Sequence, residues 1–257
     1  MIEISNHERR INDFAIRSFR DIADRDYIAA RLAARAGLIP QFLWSSLQAF
    51  EKYFKCILLF NRISSKGLNH KIEDALALVR KKVSYVSDMK PDQHEVFRQV
   101  ALEGGDRYLI GSYEAHGPLL PQLDAAIWDV RRFCQILLPH SGASAAEQRI
   151  FELTLEALVN ARAEPHRFKI SGGLLESIVS VVNHPAHKAL CWQNSFYGKR
   201  KRPTVRAQMY MEFSNAPLWL YPEMTDDLEK LIQIGPNMVE GYRKHRDDIA
   251  SGKKPRP

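Results

Sequence analysis

A run of four basic side chains has the clearest chemical potential in this sequence. The run consists of Lys199, Arg200, Lys201 and Arg202. Phe196 and Tyr197 stand shortly before it, Pro203 follows it, and Arg206 comes soon after. Cationic side chains contact phosphates and aromatic rings stack on bases, so the pattern predicts a flexible loop that binds nucleic acid beside exposed aromatics. The alternatives are a solvated charge run or a contact with an acidic patch of the same protein.

Two histidines and a cysteine have a spacing that suits a metal on a helix. His184 and His187 precede Cys191, and imidazole and thiolate are both zinc ligands. A structural zinc site needs a fourth ligand, for which His166 is available, but nothing in the sequence requires it. We therefore interpret the segment as a helix start with surface histidines and a buried cysteine. We predict no resident metal and, because the common phosphate-loop and dinucleotide motifs are missing, no cofactor.

The composition describes a globular chain that can bury a core. Hydrophobic residues make up 45% and charged residues 26% of 257 residues, which excludes wholesale disorder. We find no apolar run of the ~20 residues that a membrane span needs, and no secretory signal pattern. Three widely separated cysteines indicate a reducing compartment, and we expect a cytoplasmic protein without membrane contact. The net charge of +7 permits anionic partners without demanding them.

Helical periodicity dominates the first half of the chain. Leu43, Leu47, Phe50, Phe54 and Ile57 recur at spacings of three and four, which predicts one long packed helix from Pro40 to about residue 62. Further helices are predicted over residues 26–35, from about 70 to 83, 92–102 and 121–137. Residues 111–118 are rich in turn formers, and we predict no regular structure there. Residues 209–221 show partial alternation, which is typical of a short strand or an extended loop.

These patterns predict an all-α fold in two parts. We expect a helical bundle over residues 1–140 and a mostly helical extension with the basic loop over residues 141–257. The boundary is placed at the break formed by residues 139–142 (Pro-His-Ser-Gly).

The long helix carries a recognisable motif. Residues 48–58 read QAFEKYFKCIL, which resembles the Q-A-x-E-K-x-x-K-A-x-L signature of the HEPN family of helical bundles. Residues 27–32 (YIAARL), 37–38 (GL), 69–72 (NHKI) and 107–108 (RY) resemble further HEPN segments and occur in the family's order. The resemblance covers residues 22–138 and departs from the family at Asn69 and Lys71. It implies a four- or five-helix up-and-down bundle that forms a homodimer through a helix face.

The resemblance also implies a chemistry. Catalytic HEPN proteins use an Arg and a His, with four to six residues between them, to cleave RNA without metal by attack of a 2′-hydroxyl on the adjacent phosphate. The His relays the proton and the Arg stabilises the oxyanion. No Arg–His pair in the bundle has that spacing; Arg107 and His116, with eight residues between them, are the most plausible working pair. The alternative is that Arg107 makes structural ion pairs and His116 is a loop residue.

A second predicted site lies around the end of the long helix. Lys55, Arg62 and His70 could bind a phosphate or another ligand, with Lys55 and His70 converging together with Arg107. The alternative places Lys55 on a solvated helix face and lets His70 cap the next helix.

Two hypotheses about function remain. The first is a HEPN-like protein of prokaryotic defence or toxin–antitoxin type that binds RNA through residues 199–206 and cleaves it with Arg107 and His116. The second is a non-catalytic HEPN-like module for dimerisation or for binding a ligand or partner protein, which the missing Arg–His spacing favours. Whether the protein is an enzyme stays open at this stage, because the fold alone does not decide function.

Overall fold

The computed structural model describes residues 6–106, 109–135, 144–162, 172–198 and 206–255. The chain forms two compact units: residues 1–105 with 118–208, and residues 106–117 with 209–257. Residues 144–198 therefore belong to the same unit as the helices before them, whereas the sequence analysis divides the chain at residues 140 and 141. The reason is a set of hydrogen bonds over long sequence separations, such as that from Arg31 Nε to the Ala189 carbonyl.

The first unit is entirely helical in its described residues. Its α-helices are α1 (Asn6–Phe14), α2 (Asp21–Arg35), α3 (Ile39–Phe60), α4 (Ile72–Lys82), α5 (Pro91–Glu103), α6 (Leu119–Arg131), α7 (Ala145–Asn160), α8 (Leu174–Ser180) and α9 (His187–Cys191). A π-helix, Ala15–Arg20, joins α1 to α2. The all-α prediction is confirmed for this unit. In the described part of the chain, no helix has both the length and the apolar character required to cross a bilayer.

Helix α3 is the centre of the first unit. It packs against α1, α2, α4, α5 and α6, and its predicted apolar stripe from Leu43 to Ile57 is buried. Pro40 lies in its first turn, where the missing N–H costs no intrahelical bond. The preceding turn passes through Gly37, whose φ of +71° favours glycine. The predicted long helix is thus confirmed within two residues at its end.

The second unit combines a small sheet with short helices. Strand β1 (Tyr113–Gly117) pairs antiparallel with β2 (Tyr210–Ser214). The helices are α10 (Pro217–Leu220), a 3-10 turn (Pro222–Met224), α11 (Thr225–Glu229) and α12 (Pro236–Ala250). Buried apolar side chains form its core: Ala216, Leu218, Ile234, Val239 and Tyr242.

The sheet departs from one prediction and confirms another. Residues 111–118 were expected to lack regular structure, and that expectation is wrong for β1. The strand forms because its backbone finds hydrogen-bond partners on β2, which lies about a hundred residues further along the chain, and the turn-forming residues around it do not predict this long-range pairing. The short strand suggested by alternation within residues 209–221 is confirmed by β2.

Candidate nucleic-acid interface

The described residues include some of the predicted site residues and leave out others. Arg107 and the basic run Lys199, Arg200, Lys201 and Arg202 lie outside the described residues. Arg206 is exposed and comes just before β2, and His116 lies on β1. Of the two predicted catalytic residues, His116 is therefore the one whose surroundings the structure describes.

His116 contacts a carboxylate on its own strand. Its Nδ1 lies 3.0 Å from Glu114 Oε1, and the two side chains are 60% and 53% exposed, so a polymeric substrate can reach both. When a carboxylate accepts the Nδ1 hydrogen, the neutral imidazole carries its basic lone pair on Nε2. A pair with this geometry can orient a histidine for proton transfer through Nε2.

The strand register places apolar side chains beside this pair. His116 is opposite Met211 and Glu114 is opposite Phe213. Met211 is 85% and Phe213 62% exposed, whereas Ala115 and Tyr210 on the other side of the sheet are buried. We call the surface formed by Glu114, His116, Met211 and Phe213 the exposed sheet face. An exposed aromatic ring beside an acid–base group suits contact with an unpaired nucleotide.

Sequence reasoning missed most of this surface. It singled out His116 but not Glu114, Met211 or Phe213. The alternation of polar and apolar residues along residues 113–117 (YEAHG) is compatible with a strand, but it is too short to predict one without knowledge of the partner β2.

Lys55 and His70 do converge, but on a carboxylate of the chain itself. Lys55 Nζ donates to Glu51 Oε1 at 2.5 Å, and His70 Nδ1 lies 2.7 Å from Glu51 Oε2. Burial tends to raise the pKa of Glu51, but the hydrogen bonds and charges of Lys55 and His70 outweigh burial and lower it. Glu51 thus occupies the place that a phosphate would take between these two side chains.

Arg62 serves another contact. Its Nη1 donates to Asn12 Oδ1 at 2.9 Å and to the Leu59 carbonyl at 3.0 Å. These bonds satisfy a carbonyl at the end of α3 and connect that end to α1. Arg62 therefore connects α3 to α1 through hydrogen bonds.

The histidine–cysteine segment forms a pair of contacts without a metal-ligand cluster. Cys191 Sγ lies 3.7 Å from His187 Nε2, and His184 Nδ1 accepts from the Ala186 amide at 3.1 Å. His166 lies outside the described residues. Among the residues that the structure describes, no three histidine, cysteine, aspartate or glutamate side chains are grouped to hold a metal ion.

Hydrogen bonds and ring contacts attach the segment before the basic run to the first unit. Asn194 Oδ1 accepts from the amides of Phe196 at 2.8 Å and Tyr197 at 3.1 Å. Phe196 stacks on Trp128 with ring centroids 5.7 Å apart, and Tyr197 is buried next to Arg131. The prediction that these aromatics are exposed is wrong for Tyr197. The ring is buried because it packs against Tyr27 and Arg131 in the bundle.

Buried arginines hold this whole region in place. Arg31, Arg131 and Arg132 have fully buried side chains. Arg31 pairs with Asp124 and bonds the carbonyls of Ala189 and Trp192, and Arg131 pairs with Asp24 and Glu176. Burial tends to lower the pKa of Arg131, but the Asp24 and Glu176 carboxylates hold that pKa well above its ordinary value.

Comparisons with family models, with curated proteins and with solved structures found no match to this chain. The resemblance to HEPN bundles consequently rests on the sequence motifs described above.

Proposed function

We propose that this chain binds single-stranded RNA on the exposed sheet face and cleaves it with His116, as a HEPN-like protein of prokaryotic defence or toxin–antitoxin type. The observation that carries the proposal is the 3.0 Å contact between His116 Nδ1 and Glu114 Oε1 on an accessible strand. A histidine oriented by a carboxylate is a recurrent arrangement for general acid–base chemistry.

The chemistry requires a proton acceptor and a stabiliser of negative charge. His116 Nε2 takes the proton of a ribose 2′-hydroxyl while that oxygen forms a bond to the adjacent phosphorus. The bond from phosphorus to the 5′-oxygen then breaks, the protonated His116 gives its proton to that oxygen, and a 2′,3′-cyclic phosphate remains on the other fragment. Arg107, nine residues before His116, is the predicted group that stabilises the developing oxyanion.

The proposed RNA contacts combine stacking with charge. Phe213 supplies an aromatic ring on the exposed sheet face, and Arg206 provides a cation shortly before β2. The run from Lys199 to Arg202 adds four further positive charges close in sequence to Arg206. Stacking tolerates many base sequences, so we expect a binder of unpaired RNA with modest base preference.

A cleavage assay on end-labelled single-stranded RNA tests this function. We expect cleavage in the presence of EDTA that is lost in His116→Ala and in Arg107→Ala and reduced about 10-fold or more in Glu114→Gln. His94→Ala, which removes an exposed histidine of the first unit, is the matched control and should cleave normally. Absence of cleavage by the wild-type protein on several RNAs would overturn the catalytic part. Cleavage that survives His116→Ala would place the activity elsewhere.

A second function, dimerisation without catalysis, is favoured by α7. Ile150 and Leu153 on this helix are 64% and 47% exposed, whereas Leu158 of the same helix is buried. An apolar stripe turned away from the core is typical of an interface between subunits. Light scattering should show a dimer that Ile150→Lys converts to a monomer, while Glu152→Lys on the same helix leaves the dimer intact. A monomeric wild-type protein would remove this candidate.

A further inference from the structure

The second unit contains a cavity at the end of the exposed sheet face. Its volume is about 410 Å³ and its lining residues are Ser112, Asn215, Trp219, Met238, Gly241 and Tyr242. Gly241 lines this space, and a Cβ built there meets no atom within 4 Å, so the backbone at this position can accept a larger side chain. The proton transfer proposed for His116 and Glu114 does not use this cavity.

The strand register connects the cavity to the proposed site. Ser112 and Asn215 are the next residues beyond the pair formed by Tyr113 and Ser214. Both are exposed, and they continue the alternation that exposes Glu114 and His116 on one strand and Phe213 on the other. At about 3.3 Å per residue, Ser112 lies about 13 Å along the strand from His116. One strand of RNA can therefore extend from His116 across Phe213 to the cavity.

The cavity offers a flat aromatic wall. Trp219 stacks on His245 with ring centroids 3.9 Å apart and an interplanar angle of 9°. His245 Nε2 lies 3.2 Å from the Trp219 carbonyl, which ties the imidazole to the same residue. The indole is 37% exposed, so a second planar ring can stack on it. Because His245 already holds the Trp219 side chain, stacking of a ligand on the indole costs little side-chain conformational entropy.

The polar groups of the cavity suit a neutral heterocycle. Among the described residues, those that line the cavity carry no formal charge, which favours an uncharged ring over an isolated phosphate. Asn215 supplies an amide with both donor and acceptor groups. The Tyr242 hydroxyl is engaged, since it donates to the Ile110 carbonyl at 2.5 Å, and burial followed by the charge of Asp106 raises its pKa. An aromatic ring and an amide in one cavity offer contacts for the face and for the polar edge of a nucleobase.

We infer that this cavity binds one nucleobase of the RNA strand that crosses the exposed sheet face to His116. The inference rests on the proposed function, since it supplies a base-recognition subsite for the same strand. It also gives the cavity, Phe213 and His116 one common role within the second unit.

The test fills the cavity without touching the sheet. Gly241→Leu places a side chain into the space, and Gly241→Ala is the matched control. Both variants replace a glycine inside α12, so neither should lower the melting temperature. Fluorescence anisotropy with a short labelled single-stranded RNA should show about 10-fold or greater loss of affinity for Gly241→Leu. Gly241→Ala should retain most of the wild-type affinity.

A second measurement separates the cavity from RNA binding as a whole. The indole N–H resonance of Trp219, assigned with Trp219→Phe, is followed while each of the four nucleoside monophosphates is added. We expect that resonance to shift in the wild-type protein and to stay fixed in Gly241→Leu. If the nucleotides leave it fixed in the wild-type protein and Gly241→Leu binds RNA as tightly as Gly241→Ala, the inference is overturned while RNA binding stands. If nucleotides shift Trp219 but no RNA binds, the cavity assignment stands and the proposed function fails.

Discussion

Arg131 and Asp24, 107 residues apart in sequence, form a two-pronged ion pair inside the first unit. Arg131 Nε lies 2.6 Å from Asp24 Oδ1, and Arg131 Nη2 lies 2.8 Å from Asp24 Oδ2. Both side chains are fully buried. Tyr53 also donates to Asp24, at 2.6 Å, so helices α2, α3 and α6 meet at one carboxylate. The same guanidinium reaches Glu176 on α8, which attaches that helix to the bundle.

Removing the charge of Asp24 should destabilise the first unit strongly. Asp24→Asn leaves Arg131 buried with only Glu176 as a charged partner, and breaking a buried pair on one side costs about 3–5 kcal/mol. Urea unfolding followed by circular dichroism measures the effect. Asp13→Asn, at the exposed pair with Arg17, is the control and should change the free energy of unfolding by less than about 1 kcal/mol. Equal effects of the two substitutions would contradict the structural role of Asp24.

Glu51 should make the free energy of unfolding of the bundle depend on pH below about 4.5. Its folded pKa lies below the ordinary 4.5, because Lys55 and His70 outweigh the effect of burial. A lowered pKa means that the unfolded chain binds the proton first, so the contribution of Glu51 is complete above pH 4.5 and is lost as pH falls through the folded pKa.

We therefore expect Glu51→Gln to be less stable than the wild-type protein by about 1–3 kcal/mol at pH 7. The difference should shrink when both proteins are unfolded in urea well below pH 4.5. Glu73→Gln, which changes an exposed carboxylate near the start of α4, is the control and should show no such convergence. A difference that stays constant with pH would show that Glu51 stabilises the bundle by packing rather than by charge.

Phe213 should contribute to RNA affinity by stacking. Phe213→Ser removes the exposed ring from β2, and the loss of one base–aromatic stack weakens binding by about 1–3 kcal/mol. Anisotropy titrations with single-stranded RNA measure the change. Leu231→Ser, which removes an apolar side chain that is 78% exposed outside the sheet, should bind like the wild-type protein. If both variants bind equally well, the exposed sheet face does not contact the RNA.

The basic run should control the salt dependence of binding. Replacing Lys199, Arg200, Lys201 and Arg202 with glutamine removes four charges. The slope of log affinity against log salt should then become less steep by about 0.7 for each RNA phosphate that the protein no longer neutralises. The paired substitution Lys81→Gln and Lys82→Gln, at exposed positions near the end of α4, should leave the slope unchanged. An unaltered slope in the fourfold variant would remove the run from the RNA-binding surface.

Local patterns were sufficient for α3, the central helix of the first unit. The stripe from Leu43 to Ile57, the proline at position 40 and the glycine at position 37 together predict α3 and its start. These signals act over a few residues, because a helix satisfies its backbone hydrogen bonds within itself. The HEPN resemblance and the position after Arg107 led to the prediction of His116 as an acid–base residue, without its partner Glu114.

The tertiary structure decided the features that depend on contacts between residues far apart in the sequence. β1 exists because Tyr113–Gly117 meets β2, and only that register brings Phe213 opposite Glu114 and Met211 opposite His116. The sequence also gives no sign that Arg31 and Arg131 are buried, since arginine ordinarily occupies the surface. Carboxylates from other helices neutralise these charges, and no local pattern encodes that pairing. The sequence by itself thus determined a helical bundle and predicted a role for His116, whereas long-range pairing decided which side chains surround that histidine.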